Sequence, residues 1–67
     1  MNKFAERLLE ALQNKDITQR AFAKKLNITA VAVNKWCKGT RQPDIDMLIL
    51  IAKTLSESID WLVGLVD

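Results

Sequence analysis

The sequence predicts an all-α fold of five short helices, and three observations carry that prediction. Apolar residues recur three and four positions apart through most of the chain. A residue with a capping oxygen precedes each such stretch, at Asn2, Thr18, Thr29, Asp44 and Ser58. The strict apolar–polar alternation of a half-buried strand is missing.

Taken in order, Asn2 caps a first helix with Phe4, Ala5, Leu8, Ala11 and Leu12 inward. Asn14-Lys15-Asp16 reads as a turn. Thr18 caps a second helix that turns Phe22, Ala23 and Leu26 to the core, and Asn27 interrupts it after two turns. Thr29 caps a third, with Val33, Trp36 and Cys37 inward, and Gly39 ends it. Asp44, after Pro43, caps a fourth helix with Ile45, Leu48, Ile49, Ala52 and Leu55 inward. Ser58 caps a short last helix holding Ile59 and Leu62.

Sixty-seven residues fit one domain, spanning residues 1–67. With 49% of residues apolar and 27% charged, the balance is that of a folded chain rather than a disordered one. One cysteine and no histidine leave no intrachain disulfide and no four-ligand zinc site, so apolar packing must hold the fold. Histidine, a phosphate-cradling glycine loop and a buried-looking carboxylate pair are all missing, which argues against an enzyme. No metal, cofactor or small-molecule ligand is implied. The longest apolar run, Met47 to Ala52, is far short of the roughly 20 residues of a membrane span. The expected setting is cytoplasmic and reducing.

The net charge of +2 hides an uneven distribution. From Lys15 to Arg41 seven basic residues stand against one acid, Asp16; from Gln42 onward five acids stand against one base, Lys53. A basic segment on a nearly neutral domain is the footprint of a phosphate-binding face.

That segment contains the tightest set of physical demands in the chain. Two short helices joined at Asn27 must cross steeply, as in a helix-turn-helix. Ala23 must be small at the crossing, and Asn27 must tolerate a left-handed backbone at the corner. Phe22, Leu26, Ile28, Val33 and Trp36 must be apolar to lock the pair together. All these demands are met between Gln19 and Lys38.

The pieces ITQRAFAKKLNIT, TAVAVNKWCKGTRQPD and IAKTLSESIDWL resemble the Cro/phage-repressor helix-turn-helix family, also called lambda-repressor-like or XRE-type. The resemblance runs from Phe4 to Leu62. It implies a compact five-helix domain whose third helix enters the major groove of double-stranded DNA. It implies base contacts from Ala30, Val31 and Asn34, with Thr29 at the edge. Ala30 and Val31 offer only apolar contact, whose natural target is a thymine methyl; Asn34 can bond a base edge or a phosphate. Phosphate contacts are implied for Gln19 and Arg20 at the start of the second helix, and for Lys35, Lys38, Thr40 and Arg41 beyond the third. Lys24 and Lys25 act at longer range.

Two departures from the family pattern are informative. Many members pair an arginine in the first helix with a glutamate in the third; Leu12 and Cys37 stand at those positions. Joint replacement by apolar residues avoids stranding a buried charge, so the two are expected to meet in the core. Cys37 then serves as a small packing residue. Ser56-Glu57 occupies a turn where the family usually has glycine followed by an apolar residue. The apolar end of the chain, with Trp61, Val63 and Leu65, is expected to form a dimer face together with Leu50. A two-fold dimer would read a palindromic operator, with recognition helices roughly 34 Å apart. The resemblance points to a small bacterial or phage-encoded transcriptional regulator, most simply a repressor. The competing reading is a protein-interaction or antitoxin-like module on the same fold.

Overall fold

The computed structural model describes residues 2–67. Five α-helices follow one another: α1 (Phe4–Asn14), α2 (Gln19–Leu26), α3 (Ala30–Lys38), α4 (Ile45–Leu55) and α5 (Ile59–Val63). No strand occurs among the described residues.

Local chemistry explains where each helix starts. Thr18, Thr29, Asp44 and Ser58 have extended backbones, and each side chain accepts from the N–H three residues on, at 3.0, 3.2, 2.8 and 3.1 Å. The first helix departs from expectation by one residue. Lys3 holds the cap position and caps nothing with its side chain, while Asn2 accepts from the Phe4 N–H at 2.9 Å. Asn2 thus still satisfies an end donor, from just outside the helix.

The helix ends follow one rule. Asp16, Asn27, Gly39, Ser56 and Gly64 all have positive φ, between 56° and 89°. The N–H of the next residue then reaches back five positions: Ile17 to Leu12 O, Ile28 to Ala23 O, Thr40 to Lys35 O, Glu57 to Ala52 O, and Leu65 to Asp60 O, at 2.8–3.0 Å. This is the Schellman closure, which satisfies carbonyls that the last turn leaves free. The left-handed corner expected at Asn27 is present, with φ 59° and ψ 43°.

One core serves all five helices. Phe22, Leu8, Ile51, Leu55, Leu62 and Val33 are its largest fully enclosed side chains. Each gains roughly 1.5–3 kcal/mol from leaving water. No polar or charged residue is buried with them among the described residues. Helix α3 packs on both α2 and α1, α1 meets α5, and α4 bridges α2 and α5. Leu12 and Cys37 lie in the same buried cluster, with α1 directly against α3. Burial pushes the Cys37 thiol above its ordinary value, as expected of a packing residue.

Helix α4 corrects the sequence expectation. Ile45 and Ile49, expected inward, are exposed, at 77% and 38%. Ile51 is fully buried in their stead, beside Ala52 and Leu55, with Leu48 and Met47 packed at the edge. The reason is that Ile45-Asp46-Met47-Leu48-Ile49-Leu50-Ile51 is apolar on nearly every side. Periodicity then states that a helix forms but not which way it is rotated; docking onto α2 and α5 chooses.

Candidate nucleic-acid interface

The helix-turn-helix consists of α2, a three-residue corner and α3. Phe22 and Val33 are fully buried, and Leu26 and Trp36 nearly so, which locks the two helices as one unit. Ala23, at the crossing, is 2% exposed. At its far end α3 is held close to α1, where a Cβ on Gly39 would stand 3.8 Å from that of Ala5.

This rigid unit leaves the start and the outer side of α3 open. Thr29, Ala30 and Val31 are exposed, and Val31 is the outlier at 63% for a valine in a helix. Asn34, one turn on, is half-buried for a specific reason: its Nδ2 donates to Gln19 Oε1 at 3.1 Å. That bond joins the first residue of α2 to the middle of α3. It orients both amides. Gln19 spends its oxygen on Asn34 and retains its two NH2 donors; Asn34 keeps its oxygen and a second N–H. Nothing in the linear sequence links the two residues; the fixed crossing of the two helices sets them side by side.

Seven cations lie between residues 15 and 41. Lys15, Arg20, Lys24, Lys25, Lys35, Lys38 and Arg41 are all exposed. Among the described residues only Lys15 is neutralised by an ion pair, with Glu57 at 4.0 Å. The other six make no ion pair among the described residues. Arg20 and Lys24 border a depression at the corner that reaches Ala30. Arg41 borders a groove of about 210 Å³ between α3 and the start of α4, floored by Ala32, Trp36 and Met47. Thr40 differs from the rest of its set. Its hydroxyl donates to Lys35 O at 3.2 Å, so its proton is already engaged in closing α3.

Two further contacts, not foreseen from the sequence, join distant parts of the chain. Arg7 Nη1 donates to Trp61 O at 3.0 Å and to Val66 O at 3.2 Å, and its guanidinium lies 4.8 Å from the centre of the Trp61 ring. It ties α1 to the last helix and tail. Asn2 Nδ2 donates to Gln42 Oε1 at 3.0 Å, which ties the loop after α3 to the start of the chain. Neither partner is near in sequence, so no local signal marks them.

The described residues contain no cluster of three or more metal-ligating side chains, and no helix among them is long and apolar enough to cross a membrane.

Comparison with known proteins agrees with this geometry. A family model described as helix-turn-helix matches residues 8–62. The chain is 39% identical over 59 residues to the uncharacterized HTH-type transcriptional regulator YqaE of Bacillus subtilis (strain 168), covering 88% of this chain and 51% of the relative. It is 33% identical over 62 residues to the HTH-type transcriptional activator BcrR of Enterococcus faecalis, covering 92% of this chain and 30% of the relative. It is 36% identical over 59 residues to the HTH-type transcriptional regulator ImmR of Bacillus subtilis (strain 168), covering 88% and 46%. The chain therefore spans about half the length of these relatives or less. The crystal structure of a transcriptional regulator from Listeria innocua superposes with a TM-score of 0.90 at 33% identity, over all of this chain and 63% of that one. The five helices, the corner at Asn27 and these matches place the chain in the XRE/Cro-type helix-turn-helix family of non-catalytic DNA-binding domains.

Proposed function

We propose that this chain binds double-stranded DNA sequence-specifically and acts as a transcriptional regulator, with α3 in the major groove. The observation that carries the reading is the exposed, largely apolar start of α3, Ala30 and Val31, on an otherwise well-buried helix-turn-helix. An exposed valine flanked by cations suits a thymine methyl beside phosphates. Thr29 and Asn34 complete the base-facing set, and Asn34 reads through the atoms its bond to Gln19 leaves free. Gln19, Arg20, Lys35, Lys38 and Arg41 contact phosphates; Thr40 joins them when its hydroxyl exchanges Lys35 O for a phosphate. Two copies related by a two-fold read a palindromic operator, in the manner of a phage or prophage repressor. Of the expected dimer face, Leu50 and Leu65 are exposed and are the first candidates for the contact between them; Trp61 and Val63 are partly buried, with Trp61 packed against the core beneath Arg7.

In-vitro selection of bound DNA tests the reading face. Val31→Ala should relax preference at one base pair, worth about 1–3 kcal/mol of discrimination. Arg41→Ala should weaken binding to every sequence and flatten the salt dependence by about one counterion. An unchanged selection profile for Val31→Ala would remove Val31 from the reading face. No retention on DNA at low salt would remove the DNA-binding reading itself.

A further inference from the structure

We propose that the solvent face of α4 docks a second copy of this chain, antiparallel, about a two-fold axis passing between Ile49 and Leu50. The proposal rests on the dimeric reading above and names its contact surface.

Asp46, Ile49, Leu50 and Lys53 are spaced as i, i+3, i+4 and i+7, so they form one stripe along α4. All four are exposed, and Ile45 extends the stripe at 77% exposure. Asp46 and Lys53 make no ion pair among the described residues. The stripe thus presents an acid, two large apolar residues and a base in that order.

Such an order is complementary to itself only when reversed. Antiparallel packing centred between Ile49 and Leu50 sets each Ile49 on the second copy's Leu50. The same register sets each Asp46 on the second copy's Lys53, twice over. A parallel two-fold pair would instead set acid on acid and base on base, which is repulsive. Charge therefore selects both the direction and the register, and apolar contact fills the centre. One helix face falls well short of the ~1,000 Å² of a stable interface, so association in free solution is weak.

Asp46 in the first turn and Lys53 in the last also suit the helix macrodipole. Reversing both separates the two roles: it opposes the dipole but restores the intermolecular pairs. The experiment is sedimentation of the full chain from about 10 µM to about 1 mM at low salt, with folding followed by circular dichroism. Wild type should associate with rising concentration. Asp46→Lys and Lys53→Asp should each weaken association by about fivefold or more, since two like-charged contacts replace two attractive ones. An equimolar mixture of the two variants should associate again, and so should the doubly reversed chain. A wild type that stays monomeric throughout, single variants that associate as wild type does, or a double reversal without rescue would overturn the proposal. DNA binding of the wild type and of the charge-neutral double variant is measured beside it. A wild type that does not self-associate but binds DNA sinks the interface alone; absence of DNA affinity in the wild type sinks the reading it rests on.

Discussion

At the residue scale, the left-handed helix ends are not equivalent. Ser56 holds φ 56° with a side chain that gains nothing from it, since no hydrogen bond of its hydroxyl accompanies the turn among the described residues. Glycine is freer there, although it loses more entropy on folding. Ser56→Gly should therefore stabilise the fold by about 0.5 kcal/mol. Gly64 is the opposite case. Its φ is +89°, and a Cβ there would sit 3.0 Å from Lys3 Cγ and 3.1 Å from Lys3 Cβ. The close approach belongs to the joint between the start of the chain and α5, where the Lys3 N–H donates to Val63 O at 3.3 Å. Gly64→Ala should destabilise by about 1–2 kcal/mol. Urea melts of the two variants check both signs at once; equal midpoints would refute the strain argument. That the Ser56 turn departs from the family's glycine was visible in the sequence. The need for glycine at 64 was not, because the obstacle is a side chain sixty-one positions away in sequence.

At the scale of elements, the Gln19–Asn34 bond links α2 to α3 and sets what each amide can offer. Gln19→Glu isolates the two roles. It preserves the oxygen that Asn34 Nδ2 donates to, and an acid at the start of α2 suits the helix dipole. It also replaces the NH2 donors with a negative oxygen that repels phosphate. Thermal stability should stay within about 3 °C of wild type, while DNA affinity should fall at least about tenfold. Comparable losses in both would mean that the bond contributes only to folding. Four of the five caps were legible in advance because a cap is a contact within three residues. The rotation of α4 was not, because Ile45, Ile49 and Ile51 are equally apolar and only the neighbouring helices distinguish them.

At the scale of the whole molecule, the two chain ends meet. Arg7 holds two carbonyls at the C-terminal end and stacks on Trp61, from a half-buried position on α1. Lysine carries the charge but has neither the planar fork nor the flat face for stacking. Arg7→Lys should lower stability by about 1 kcal/mol, a fall of about 4–8 °C in Tm for a chain of this size. A Tm shift below 1 °C would show that the clamp is dispensable.

What the sequence determined by itself is whatever short-range chemistry controls. Helix starts follow from Thr18, Thr29, Asp44 and Ser58, and the corner from Asn27. The buried faces of α1, α2 and α3 follow from clear periodicity, and Val31 lies on the side of α3 opposite Val33. Tertiary structure alone decided which side of α4 faces water, that Asn34 belongs with Gln19, and that Arg7 closes the molecule on Trp61 and Val66. These contacts join residues far apart in the chain. Their geometry exists only once the helices have docked, and a residue pattern confined to one helix carries no record of its neighbours.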